Sequence, residues 1–150
     1  MRIYNLAGLL EQYGDQFLIL EFNHLFVASS IREEVWLLQR KNDPALIDRI
    51  IQEAAAYNLL EVDADRDFET YSGGQKAILG CLLTLELIRA RGIKGLKLLL
   101  SNILNSISDD NRVKLMRFFA KIHSSHHIRL FTQKGSELQE LFSDNDGTEK

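Results

Sequence analysis

The sequence predicts an α/β protein whose strands form a parallel sheet, and three observations carry that expectation. After residue 92, short apolar runs alternate with a helical periodicity, in the order "GLKLLLS", "DDNRVKLMRFFAKIH", "HIRLFT". Alternation of this kind marks β-α-β units, whose strands are buried on both faces and therefore read as unbroken apolar stretches. The helix before them, "KAILGCLLTLELIRARG", is apolar on nearly every side and needs a core to lie in. At 150 residues the chain is long enough for one domain with a real core and short for two. The expectation is a single domain over residues 1–143, a small helical subdomain at about 29–70, and a disordered tail at 144–150.

Each element has a local reason. "RIYNL" and "QFLILEF" carry β-branched and aromatic residues and read as strands, with "EQYGD" between them as a turn; "HLFVA" reads as a third. Ser30 followed by Glu33 is a capping-box pattern, and Ile31, Val35 and Leu38 then recur at helical spacing, so a helix covers about 30–40. Asp43 as N-cap and Pro44 at the first helical position start a second helix, with Leu46, Ile50 and Ala54 inward. "DADRDFET" is a polar connection to Tyr71, and the long apolar helix that follows ends near Gly92. "GLKLLLS" is a buried strand. The next helix is expected to be capped by Asp109 or Asp110, with Leu115, Phe119 and Ile122 inward. "HIRLFT" is a further strand, and "SELQELF", with Ser136 three residues before Gln139, reads as a last helix.

Composition excludes several classes. Hydrophobic residues at 45% and charged residues at 26% are ordinary globular values, which indicate neither disorder nor a membrane protein. No apolar run approaches the roughly 18 residues that span a bilayer, so direct membrane insertion is not expected. The lone cysteine, Cys81, can form no internal disulfide, and "MRIYNLAGLLEQYGD" lacks the layout of a secretory signal, so the chain reads as cytoplasmic. A net charge of −3 gives no broad reason to hold nucleic acid, a partner class that stays open. The basic run Arg89, Arg91, Lys94, Lys97 reads as a solvated helix end whose dipole favours cations. His123, His126 and His127 have no cysteine or carboxylate at ligand spacing and read as a surface loop, so no metal is predicted for the isolated chain.

The chemistry-bearing stretch is "YSGGQ". Ser72 and Gln75 suit a capping box and nothing more. Two glycines in a first turn, however, cost up to about 1 kcal/mol each relative to alanine. By removing Cβ atoms they let a ligand approach the N–H groups at the positive end of a long helix, which is how anion sites are built. Cap and anion site both stay open on this stretch alone.

The order "YSGGQKAILGCLLTLELIRARGIKGLKLLLSNILNSISDDNR" resembles the C-terminal half of an ATP-binding cassette (ABC) ATPase: signature motif, buried helix, Walker B strand and D-loop. "SGGQKAILGCLLTLELI" with "SISDDNR" is especially similar to the SMC-like chromosome and DNA-repair branch, while "LFVASSIREEV" and "DRIIQEAAAYNLLEVDADRDFETYSGGQ" look like the helical subdomain of transporter cassettes. The resemblance covers about residues 25–133. It implies a P-loop NTPase-like fold with a truncated parallel sheet. It also implies that Ser72, Gly73 and Gly74 touch the γ-phosphate of ATP held by the opposite subunit of a head-to-tail dimer, with Gln75 and Tyr71 shaping the turn.

The family's own-site residues do not follow. No segment fits the phosphate-cradling G-x-x-x-x-G-K-[ST]; Gly8 and Gly14 have the wrong spacing and precede Asp15. By the resemblance, the Walker B carboxylates fall on Ser101 and Asn102, the D-loop aspartate on Ser108 and the switch histidine on Gln133. Hydrolysis by the chain alone is not expected. ATP is expected only together with a partner, either an intact ABC-type ATPase subunit or a second copy of the chain. Three functions follow: a non-hydrolysing subunit in a regulatory or assembly role, an interaction scaffold with no nucleotide role, or one part of a split ATP-hydrolysing transporter or DNA-repair ATPase.

Overall fold

The computed structural model describes residues 2–134 and 137–142. Its first strand, β1 (Arg2–Asn5), passes straight into helix α1 (Leu6–Tyr13), because the Asn5 side chain accepts a hydrogen bond from the Gly8 N–H at 3.1 Å. The helix therefore occupies much of the stretch read as a turn. A short 3-10 turn (Gly14–Gln16) makes the reversal into β2 (Phe17–Glu21). "HLFVA" is not a strand: Val27 is 87% exposed, and the N–H groups of Val27 and Ala28 donate to Glu34 Oε1 at 3.0 and 2.7 Å. A buried carboxylate takes the place of a strand neighbour.

Helix α2 (Ile31–Gln39) starts at Ser30, whose Oγ accepts from the Glu33 N–H at 3.3 Å. Helix α3 (Pro44–Ala55) starts at Asp43, which accepts from the Leu46 N–H at 3.2 Å. There follow α4 (Gly73–Arg91), β3 (Lys97–Ser101), α5 (Asp109–His126), β4 (Arg129–Lys134) and β5 (Glu137–Leu141). The α5 cap is Ser108 rather than either aspartate; Asp109 and Asp110 sit in the first turn, where the helix dipole favours negative charge.

The five strands form one sheet in the order β1-β5-β4-β3-β2. β2, β3 and β4 are parallel, as the alternation of strand and helix predicts, but β5 runs antiparallel to β4 and β1 antiparallel to β5. The sheet is thus mixed, and the last predicted helix is a strand. Its residues alternate: Leu138 and Glu140 are buried while Glu137 is exposed. Glu140 tolerates burial because Arg129 grips it with two hydrogen bonds (2.8 and 2.7 Å) and the Tyr4 hydroxyl donates a third at 3.0 Å. Ser136 of the proposed capping pattern lies outside the described residues, as does the tail at 144–150.

The pleat sorts side chains into two cores. Leu20, Leu98, Leu100 and Leu130 face a large cluster that also holds Ile31, Leu46, Ile50, Leu82 and Phe119, so α2, α3, α4 and α5 share that side. Leu99, Phe131 and Leu138 face the other side, against Leu9 of α1. Every residue of β3 is buried, as expected of a strand covered on both faces. The basic run is not one solvated helix end. Lys97 is buried, with Nζ donating to Gln16 Oε1 at 3.0 Å and lying 4.4 Å from the Tyr13 ring centre, and Arg91 donates to Gln39 Oε1 at 2.7 Å and to the Leu38 carbonyl. Among the described residues, no helix is long and apolar enough to cross a membrane.

Candidate functional site

The three parallel strands all end at one edge of the molecule, with Glu21, Ser101 and Gln133 at or near their carboxyl ends. Open α/β sheets place their ligand sites at this edge. The first turn of α4 reaches it through two close approaches. A Cβ built on Gly73 would lie 3.3 Å from Cζ of Phe22, just beyond β2, and one on Gly74 would lie 2.7 Å from the carbonyl oxygen of Ser106, in the loop that leaves β3. A phenyl edge can shift by a few tenths of an ångström; a backbone oxygen held in its own turn cannot do so cheaply. Gly74 therefore has a use inside the chain, which is to let α4 start against that loop.

Around these glycines the capping box is complete. The Gln75 N–H donates to Ser72 Oγ at 3.2 Å, and the Ser72 N–H donates to Gln75 Oε1 at 2.8 Å. Tyr71, buried behind the turn, accepts from the Asp63 N–H at 3.3 Å, and the Arg66 guanidinium lies 4.1 Å from its ring centre. Among the described residues, no acceptor takes the N–H of Gly73 or of Gly74. Ser72 is exposed and both glycines are half-buried, so two free donors stand at the positive end of a 19-residue helix.

The positions at which the sequence resemblance leads one to expect carboxylates and a histidine serve local structure here. Ser101 Oγ donates to Gln133 Oε1 at 3.3 Å, tying the ends of β3 and β4 together. Asn102 has a left-handed φ of 58°, a conformation asparagine tolerates better than most residues. Ser108 Oγ accepts from the Asn111 N–H at 3.4 Å as the cap of α5. Ser101, Gln133, Gly73 and Gly74 thus belong to one edge, whereas Ser108 is spent on its own helix. No sequence signal marks Phe22 and Ser106, whose closeness to the glycines is tertiary.

The edge carries little positive charge. A polar cavity of about 420 Å³ beside the α4 turn is lined by Phe22, Asn23, Ser29, Asp67, Glu69 and Lys76, among others. Lys76 Nζ is already 4.0 Å from Glu69. Two carboxylates against one lysine do not suit a phosphate. His123 and His126 lie in the last turn of α5 rather than in a surface loop, with His123 Nδ1 2.6 Å from the Ile128 carbonyl and His126 Nδ1 2.7 Å from Ser125 Oγ, and the exposed His127 ends the helix with a left-handed φ of 55°. Among the described residues, no three His, Cys, Asp or Glu side chains gather as a metal site would require. Burial pushes the Cys81 thiol well above its ordinary pKa, which leaves it a packing residue rather than a nucleophile.

No protein-family model matches the chain, and no curated protein matches it.

Proposed function

We propose that the chain is a non-hydrolysing, P-loop NTPase-like relative of the ABC-type ATPases, which presents Ser72, Gly73 and Gly74 to the terminal phosphate of ATP held by an intact partner cassette. The observation that carries this reading is a contrast within one edge of the molecule. The N–H groups of Gly73 and Gly74 are unclaimed at a helix N-terminus, while Ser101 donates to Gln133 and the two offer no carboxylate or imidazole. Trans-acting donors are kept and own-site chemistry is missing. The role that follows is regulatory or architectural, with ATP as the joint between two subunits.

The Gly74 to Ser106 approach favours a second reading, in which the glycines serve packing alone and the protein is a scaffold with no nucleotide role. Ser72→Asp separates the two. Aspartate caps a helix as well as serine does, so folding stability should stay within about 0.5 kcal/mol. Its charge would repel a phosphate. In a complex co-purified with its native ATPase partner, the substitution should abolish ATP-strengthened association. Association that is indifferent to both ATP and this substitution would leave the scaffold reading standing.

A further inference from the structure

Helix α5 carries a charge pattern at odds with the chain as a whole. The protein has a net charge of −3, yet from Asn111 to His126 the helix holds Arg112, Lys114, Arg117 and Lys121 and no carboxylate. Arg112 is paired with Asp109 at 3.0 Å, and Lys114 donates to the Ala56 carbonyl at 2.9 Å. Arg117 and Lys121 are exposed, sit one turn apart, and have no carboxylate partner among the described residues. Like charges at this spacing weaken the helix that bears them by a few tenths of a kcal/mol.

Val113, Met116, Ala120 and Phe142 line a shallow, largely apolar groove of about 580 Å³ that Arg117 borders, with Asp109 there neutralised by Arg112 and Lys121 one turn beyond Arg117, and Val113 is 52% exposed. We propose that this face of α5 docks an acidic amphipathic segment of a partner protein, whose apolar side chains enter the groove while its carboxylates meet Arg117 and Lys121. Charge complementarity argues for the acid, and the apolar groove floor argues for a peptide. A nucleic-acid surface would be polar throughout, with cations spread to track phosphates, and would sit poorly on a protein of net negative charge. The inference is independent of the role given to Ser72.

The test uses fluorescence anisotropy of the full chain with a labelled synthetic helix of about 18 residues, leucines along one face and glutamates on its flanks. Controls are a scrambled peptide of the same composition and a labelled single-stranded DNA. The helix should bind about tenfold tighter than its scramble. The double change R117E/K121E should weaken it about tenfold or more, and so should added salt. Val113→Asp, at an exposed site, should weaken it separately, whereas Lys41→Glu, also exposed but away from α5, should not. Equal binding of the scramble, preference for DNA, or indifference to R117E/K121E would overturn the proposal. So would self-association of the chain that R117E/K121E abolishes, since the groove would then belong to a second copy. Probe binding that appears only after deletion of residues 143–150 would assign the groove to the chain's own terminus and overturn it too.

Discussion

Ser101 Oγ donates a 3.3 Å hydrogen bond to Gln133 Oε1 across the ends of two neighbouring parallel strands. Ser101 is 8% exposed while Gln133 is exposed, so the bond is part-buried. Ser101→Ala should lower stability by about 1 kcal/mol, the usual net worth of one such bond. Urea denaturation measures it; an unchanged midpoint would show that the two side chains are not coupled.

The glycines make an ordered series. Gly74→Ala drives a Cβ to 2.7 Å from the Ser106 carbonyl oxygen and should cost about 1–3 kcal/mol. Gly73→Ala meets only the edge of Phe22 at 3.3 Å and should cost less. Gly8→Ala, within α1 and with nothing within 4 Å, should raise stability by about 0.5–1 kcal/mol through helix propensity. Melting temperatures of the three variants give the order, and a Gly74→Ala protein as stable as wild type would remove the packing explanation for that residue.

Glu140 is 4% exposed and accepts from Arg129 and Tyr4 together. The carboxylate raises the Arg129 pKa further above its ordinary value, chiefly through the hydrogen bond it accepts, so the guanidinium stays charged at any working pH. Glu140→Gln strands that cation and should cost about 3 kcal/mol, toward the low end for a broken buried pair because the Arg129 side chain keeps 28% exposure. The double change E140Q/R129M should recover part of the loss. A double-mutant cycle without measurable coupling would deny the pair its part in placing β5.

Glu86, buried within α4, has its carboxyl pKa raised by burial, with Arg89 and Arg49 pulling it back. The folded state holds that proton more tightly than the unfolded chain does. The stability it contributes is therefore fully present below the unfolded carboxylate value, near pH 4.3, and is lost as pH rises through the higher folded value. Glu86→Gln removes the ionisation. Relative to that variant, the wild type should lose stability as pH rises above the unfolded carboxylate value and through the higher folded one. A constant difference across this range would mean that Glu86 is solvated or fully compensated.

How much the sequence discloses depends on how local each signal is. Helix α4 is legible at both ends, because Ser72 and Gln75 cap it within three residues and Gly92 closes it with a left-handed φ of 61°. Strand β5 is not legible. "ELQEL" suits either a helix or a strand, and what decides is a charge partner on β4, 11 residues back, and a hydroxyl on β1, 136 residues away. The same division runs through the candidate site. The cap at Ser72 can be read from five letters, but that Gly74 abuts Ser106, that Asn102 is left-handed and that Ser101 meets Gln133 are facts of tertiary placement.

The pairing of β1 with β5 joins strands from opposite ends of the described chain. During synthesis, residues 2–5 wait for residues 137–141 before they have a strand to bond, and α1 waits with them for Leu138 to complete the core around Leu9. A chain with β4 outside the ribosome and β5 still inside it has no strand for β1 to bond and leaves Leu9, Leu99 and Phe131 without Leu138. Until β5 emerges, that open face of the sheet is exposed to aggregation or to a chaperone.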